Sequence, residues 1–149
     1  MKAVFTLADT SDTDQLVELM REFYAFDHIA FDEAAARRAL AQILSDRRFG
    51  LVNLIHMGAR TAGYLVLTFG FSLEFHGRDA FVDELYLRAS FRGQGIGQAS
   101  IDFAVEVCRA EGIAALHLEV ERDNQRAQAL YRRAGFRDHD RYLMTKWLS

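Results

Sequence analysis

Apolar residues follow two periods along this chain, and the combination predicts a mixed α/β domain. Residues 2–7, 51–57, 61–69 and 81–87 are apolar, β-prone runs of strand length. Two stretches between the first and second runs instead repeat apolar residues at helical spacing. Their inward faces contain Leu16, Leu19, Met20 and Phe23 in the first helix, and Ala36, Leu40, Ile43 and Leu44 in the second.

Polar and glycine residues mark where these elements begin and end. Residues 10–12, Thr-Ser-Asp, offer N-caps for the first helix, and Asp32 starts the second. Residues 26–31 break the first helical pattern. Gly58 and Ala59 separate two strand-like runs, which predicts a hairpin.

A glycine-rich loop stands between the strand-like run 81–87 and a third helical pattern. Residues 91–97 read Phe-Arg-Gly-Gln-Gly-Ile-Gly, and apolar residues then recur at helical spacing from Ile96 to Val107. Glycine lets the backbone approach a ligand, and the first N–H groups of a helix have no partner inside it. The helix dipole adds a preference for anions. The loop is therefore predicted to bind a phosphate group.

Two nucleotide-binding motifs fit this loop poorly. A Walker loop requires a lysine that is absent here. The dinucleotide motif Gly-x-Gly-x-x-Gly would need glycine where the chain has Gln98 or Ser100. Glu119 and Glu121 stand where a ribose-binding acid would be expected, so dinucleotide binding is kept as the weaker alternative, although too little chain follows to complete a doubly wound sheet.

Two motifs resemble those of the GNAT superfamily of acyl-CoA-dependent N-acyltransferases. Arg92-x-x-Gly95-x-Gly97 is similar to the superfamily's Arg/Gln-x-x-Gly-x-Gly/Ala motif. After a strand-like run at residues 116–120, Asn124 is followed by Tyr131 and then by Gly-Phe at 135–136, which resembles the second motif. The matching segments cover residues 83–136, and two motifs in the same order and spacing are specific.

The resemblance implies an α/β (α+β) GNAT fold in a single domain, residues 1–149. Its central sheet would be mixed, mainly antiparallel, with six to seven strands and helices on both faces. The element order read from the chain, β-α-α-β-β-β-α-β-α-β, is close to that layout. In the family, the two central strands splay apart to admit the pantetheine arm, and here they correspond to residues 81–87 and 116–120.

Acetyl-CoA is the cosubstrate that the resemblance implies. The expected coenzyme-binding residues are Leu85, Tyr86, Leu87, Arg92, Gly93, Gln94, Gly95, Ile96, Gly97, Gln98, Asn124 and Tyr131. Tyr131 matches the family's general acid, and a phenol with an ordinary pKa of about 10 stays protonated at neutral pH. The alternatives are that Tyr131 only packs on the sheet and that Asn124 is only a helix N-cap.

Three acids are candidates for the group that takes a proton from the amine, directly or through water. Asp83 and Glu84 resemble the acidic pair of diamine acetyltransferases, and Glu119 resembles the acid of acetylases that modify protein N-termini. Strand alternation sends Asp83 and Glu84 to opposite faces unless a bulge intervenes. The acceptor pocket is expected to use Tyr24, His28 and Phe31 from the first connection and Glu74 from the stretch 69–78; core packing is the alternative for the aromatic residues.

Composition limits the remaining functions. The chain has 149 residues, half of them apolar, and no apolar run reaches the ~18 residues of a membrane span or forms a signal peptide, so a soluble, cytoplasmic protein is expected. A net charge of −3 argues against nucleic acid and favours cationic substrates. Cys108 is the only cysteine, and no cluster has metal-ligand spacing, so neither a disulfide nor a metal is expected.

These observations predict an N-acetyltransferase that moves the acetyl group of acetyl-CoA to a primary amine, that of a small cationic molecule, with Tyr131 as general acid. Two alternatives stay open: a non-catalytic acyl-CoA-binding or sensor domain, and an acetyltransferase of protein N-termini or lysines. The identity of the amine, the acyl chain preference and assembly as a homodimer are left open by the sequence.

Overall fold

The computed structural model describes residues 1–149, which divide into two units, Met1–Glu119 and Val120–Ser149. The first unit contains five strands and three α-helices, and the second contains one α-helix. The elements are β1 (Ala3–Leu7), α1 (Thr13–Phe26), α2 (Glu33–Ser45), β2 (Gly50–Met57), β3 (Arg60–Ser72), β4 (Gly77–Leu87), α3 (Ile96–Ala110), β5 (Ala115–Leu118) and α4 (Gln125–Arg133).

One sheet of five strands, ordered β1-β2-β3-β4-β5, forms the centre of the first unit. The three pairs from β1 to β4 are antiparallel and β4 pairs with β5 in parallel, so the prediction of a mixed, mainly antiparallel sheet is confirmed. The predicted number of six to seven strands is wrong. Residues 137–149 form no strand, and the Arg141 N–H donates to the His139 carbonyl at 3.0 Å.

Helices pack on both faces of the sheet, as predicted, because apolar residues alternate along the central strands. On one face α1 and α2 pack against Val52, Tyr64 and Val66. On the other face α3 packs against Ile55 and Leu65. No helix is long and apolar enough to cross a membrane.

The start of the first helix follows the prediction only in part: Asp12 is the N-cap residue of α1, but its side chain makes no capping hydrogen bond there. A single 3-10 turn, Thr10–Asp12, precedes α1, and its cap is Asp9, whose carboxylate accepts the Ser11 N–H at 2.8 Å. The Asp12 carboxylate in turn accepts the Asp9 N–H at 2.9 Å, so the two residues form a capping box. The predicted cap of α2 is confirmed, since Asp32 accepts the Ala35 N–H at 3.0 Å.

Two connections are shorter than the sequence suggested. Helix α1 continues to Phe26, so Tyr24 lies on the helix and not in a loop. Strand β3 extends to Ser72 and strand β4 begins at Gly77, so the turn between them contains only residues 73–76. The hairpin turn at residues 58–59 is confirmed.

Candidate active site

The glycine-rich loop joins the end of β4 to the start of α3. Gly93 and Gly95 have φ angles of 72° and 81°, in the left-handed region that favours glycine, and Gly95 is the N-cap of α3. Gly97 lies in the first turn of the helix itself. Two glycines therefore turn the backbone, and the third is an ordinary helical residue.

The backbone of this loop is available to a ligand. The N–H groups of Gly93, Gln94 and Gly95 donate to no backbone carbonyl, and the first N–H groups of α3 have no acceptor within the helix. Gln94 and Gly95 border a hollow of about 340 Å³ that is also lined by Met1, Lys2, Ala3, Met57, Ile96 and Ala99. Free N–H donors, a helix N-terminus and an ammonium group fit the phosphates of a coenzyme.

Arg92 holds the loop in place through its side chain. Its Nε donates to the Leu87 carbonyl at 2.8 Å, and its guanidinium lies 4.2 Å from the centre of the Phe26 ring. The glycine-rich loop is thereby tied to the ends of both β4 and α1. The side chains of Gln94 and Gln98 also bond locally, to the Ser90 carbonyl at 2.9 Å and to Asp102 at 3.0 Å.

Glu84 is the predicted acid with the most defined surroundings. Its two carboxylate oxygens each accept one phenol hydrogen bond, from Tyr24 of α1 and, at 2.6 Å, from Tyr64 of β3. The β3–β4 register shifts between Val66, which pairs with Glu84, and Leu67, which pairs with Val82. Asp83 is therefore the extra residue of a β-bulge, as the sequence left open.

The charge of Glu84 has no cationic partner in this unit. Burial raises the pKa of Glu84, while the hydrogen bonds from Tyr24 and Tyr64 lower it and the charge of Asp83 raises it. Burial and the neighbouring Glu84 also raise the pKa of both tyrosines, which stay protonated. Glu84 is thus a partly buried acid that is satisfied by neutral donors alone.

The other predicted acids are more exposed than Glu84. Asp83 and Glu119 are exposed, and the β4–β5 ladder ends at the pair Val82–Leu118, just before both. Partial desolvation raises the pKa of Asp83. Glu74 is exposed in the turn that precedes β4, at the opposite end of that strand from Glu84.

The predicted acceptor residues of the first connection are only partly brought together. Phe31 packs edge-on against Tyr24, with ring centroids 5.4 Å apart, so these two lie beside Glu84. His28 is exposed and has a left-handed φ of 56° just after the end of α1. Its N–H donates to the Ala25 carbonyl at 3.3 Å, and its ring makes no contact with Glu84.

Three side chains form hydrogen bonds to carboxylates that the sequence did not predict. Tyr64 was hidden in an apolar strand run, and only the strand register reveals that it bonds Glu84. The Arg88 guanidinium donates two hydrogen bonds to the Glu22 carboxylate, at 3.0 and 2.9 Å. His117 of β5 lies 3.1 Å from Asp79 of β4, between the rings of Phe75 and Phe81. No sequence pattern indicated these pairs, because each joins residues far apart in the chain.

In the second unit, the structure explains why the motif residues occur together. Asn124 caps α4 by accepting the Ala127 N–H at 3.1 Å. Gly135, with a φ of 99°, ends the helix: its N–H donates to the Arg132 carbonyl and the Phe136 N–H to the Tyr131 carbonyl, both at 3.0 Å. The rings of Tyr131 and Phe136 are 6.1 Å apart, so this Schellman motif holds the Tyr131 ring.

Known proteins resemble the chain over most of its length. The sequence profile of the Acetyltransferase (GNAT) family matches residues 13–136. Thialysine N-epsilon-acetyltransferase from Bos taurus is 35% identical over 81 residues, which cover 54% of this chain and 47% of that protein. The enzyme of the same name from Mus musculus is 26% identical over 139 residues, which cover 88% of this chain and 82% of that protein.

A solved structure shares the fold. It is an integron cassette protein from the mobile metagenome of Cole Harbour Salt Marsh, 35% identical, with a TM-score of 0.85 over 97% of this chain and 90% of that chain. The aligned part of this chain spans about half of the bovine relative and most of the mouse relative.

Proposed function

The chain belongs to the Acetyltransferase (GNAT) family, and from that we propose that it transfers the acetyl group of acetyl-CoA to a primary amine of a small cationic molecule. The relatives named thialysine N-epsilon-acetyltransferase support an amine acceptor. The loop from Gly93 to Ile96, with its free N–H groups beside Lys2, supports a phosphate-bearing coenzyme.

The observation that carries the acceptor class is the carboxylate of Glu84. It is partly buried, it accepts hydrogen bonds only from two neutral phenols, and no basic side chain of its unit pairs with it. A buried charge without a counter-ion is costly, so a cation that arrives from solvent is bound favourably there. An alkylammonium group supplies that charge.

The chemistry requires a proton acceptor and a proton donor from the protein. The amine must lose a proton before its nitrogen attacks the thioester carbonyl carbon, and Glu84 takes this proton directly or through water. Acetyl transfer forms the amide C–N bond and breaks the C–S bond. The leaving thiolate of CoA then takes a proton from the Tyr131 phenol, which is the role we propose for that residue. The second proton lost by the attacking nitrogen passes through water to the tyrosinate and restores the phenol.

Asp83 and Glu119 remain further candidates for the proton acceptor. Both follow directly on the last β4–β5 pair, where the two strands cease to be hydrogen-bonded. This end of the ladder supports an opening between the strands for the pantetheine arm. We assign the leading role to Glu84 because it alone is fixed by two hydrogen bonds.

A panel of amines tests the proposed function. We expect free thiol to be released from acetyl-CoA with diamines or other alkylammonium compounds, and little release with neutral hydroxylated compounds of the same size. Coenzyme binding without thiol release from any amine or peptide would instead favour an acyl-CoA sensor. Release with peptide N-termini or lysines alone would favour protein acetylation.

Substitution of Gly95 by Val should weaken CoA binding at least tenfold, because the side chain is added where the phosphates approach and a left-handed φ is strained for Val. Titration calorimetry with CoA provides the measurement. Gly112→Val is the matched control: Gly112 has a φ of 73° and open space around its Cβ position, as Gly95 does, but follows the other end of α3. Equal CoA affinity in both folded variants would contradict the phosphate-binding role of the loop.

A further inference from the structure

We propose that Tyr24 and Tyr64 are positioning residues that hold Glu84 ionised and oriented, and that they thereby set the pH range in which the cationic acceptor is bound. This inference rests on the proposed function and adds the residues that control its acceptor site. Neither phenol needs to contact the reacting atoms for this role.

The hydrogen bonds leave Glu84 able to bind a cation. A carboxylate has about four lone-pair sites on its two oxygens. Tyr24 and Tyr64 use one site on each oxygen, which leaves a site on each for the N–H groups of an ammonium ion. Both donors are neutral, so they orient the carboxylate without cancelling its charge.

Glu22 shows the contrasting arrangement on the same element as Tyr24. It forms two hydrogen bonds to Arg88 and accepts one from the Tyr86 hydroxyl at 3.3 Å. Arg88 neutralises the charge of Glu22 and binds both of its carboxylate oxygens, so the two residues form a structural ion pair. Glu22 therefore has a cationic partner and Glu84 has only neutral partners. Of the two carboxylates, only that of Glu84 has a charge that a cationic ligand can neutralise.

The two tyrosines are themselves rigidly held. Tyr64 is 1% exposed in the middle of β3, and its ring lies edge-on to that of Phe23 at 6.4 Å. Tyr24 is braced by Phe23 at 5.7 Å and by Phe31 at 5.4 Å. Because Tyr24 is near the end of α1, its hydrogen bond also connects the carboxylate to the segment after that helix.

The direction of the effect follows from the groups that face Glu84. These are Tyr24 from α1, Tyr64 from β3 and Asp83 from β4, with no basic group among them. Burial and Asp83 favour the neutral carboxyl, and the two phenols oppose them. Removal of either hydroxyl therefore raises the pKa of Glu84 and moves the acidic limit of ammonium binding to higher pH.

Tyr24→Phe and Tyr64→Phe keep the rings and remove only the hydroxyl groups. We expect each variant to bind the best amine of the panel about tenfold more weakly near the acidic limit, with CoA affinity unchanged. Calorimetry of the amine in the presence of CoA, from about pH 4 to pH 8, measures the limit without turnover. In a Glu84→Gln background, the same Tyr24→Phe change should leave the amine affinity and its pH dependence unaltered.

Carboxyl NMR titration of Glu84 separates this inference from the proposed function. If the wild-type protein acetylates no amine, the proposed function fails, and the pKa of Glu84 in the two variants still decides whether the phenols hold it ionised. An unchanged Glu84 pKa in both folded variants would overturn the inference. It would also be overturned by a raised pKa that leaves the pH dependence of amine binding as in the wild type.

Discussion

Tyr131→Phe is expected to lower kcat about 10²- to 10⁴-fold while CoA affinity changes little, because general acid catalysis is worth that much and the ring is retained. The Schellman motif that ends α4 holds the Tyr131 ring against Phe136 through backbone hydrogen bonds, and neither the ring contact nor those bonds involves the phenol hydroxyl. The variant should therefore keep its thermal stability. Single-turnover thiol release and CoA calorimetry provide the two measurements.

Tyr142→Phe is the control for this prediction. Tyr142 belongs to the same unit, is 86% exposed and loses the same hydroxyl group, so its variant should retain wild-type turnover. Tyr131→Phe with more than half of the wild-type rate, under conditions in which chemistry limits turnover, would leave Tyr131 as a packing residue. A leaving thiolate would then take its proton from water or another group.

The sequence predicted the elements of the fold well because each has a local cause. Helical spacing located α1, α2 and α3, and the caps Asp32 and Asn124 are read from residue type alone. The number of strands was wrong, because both the element order read from the chain and the family layout placed a strand after the last helix. Residues 137–149 form no strand.

The candidate site was predictable in its residue types but not in its pairings. Glu84 was named as an acid, but its selection over Asp83 depends on a one-residue bulge that shifts the register of β4 against β3. Tyr64 was indistinguishable from its apolar neighbours until that register placed its hydroxyl on the carboxylate. Hydrogen bonds between distant strands and helices carry no sequence period, which is why three-dimensional information was needed.

The glycine-rich loop was likewise predictable from the sequence only in part. Phosphate binding by the loop stays a prediction, while the left-handed φ angles of Gly93 and Gly95 show why two of its three glycines are needed by the backbone. Arg92 was predicted to be a coenzyme-binding residue, and in the structure its side chain braces the loop against Leu87 and Phe26. A motif residue can therefore act by supporting the backbone of its own loop.

Glu84→Gln should lower kcat/KM for the cationic amine by roughly 30- to 4,000-fold, which is the loss of about 2–5 kcal/mol expected when one partner of a buried charge pair is removed. The amide is isosteric and can still bond both tyrosine hydroxyls, accepting from one and donating to the other. The KM for acetyl-CoA should stay near that of the wild type. Steady-state kinetics with the best amine would show which carboxylate binds its ammonium group. Asp83→Asn, Glu119→Gln and Glu74→Gln are the variants for comparison.

The same substitution should stabilise the fold at neutral pH. Because burial raises the folded-state pKa of Glu84 above its ordinary value, the folded protein holds that proton more tightly than the unfolded chain does. The stabilisation from the neutral carboxyl is complete below the ordinary glutamate pKa and is lost as pH rises through the raised folded-state pKa. The wild type therefore carries an electrostatic cost at pH 7 that Glu84→Gln removes, and the difference in Tm between the two should shrink as pH falls.

Glu22→Gln provides the control of opposite sign, since it removes the charged partner that hydrogen-bonds the partly buried Arg88, leaves it only the more distant Glu18 carboxylate at 3.7 Å, and should lower the Tm at neutral pH. Two glutamate-to-glutamine changes on packed elements would thus move stability in opposite directions, and only the stabilising one would abolish amine recognition. Thermal unfolding of both variants across the acidic range is the measurement. A Glu84→Gln protein that is less stable than the wild type at pH 7, or that keeps its kcat/KM for the cationic amine, would show that Glu84 is a structural carboxylate and not the charge that the acceptor meets.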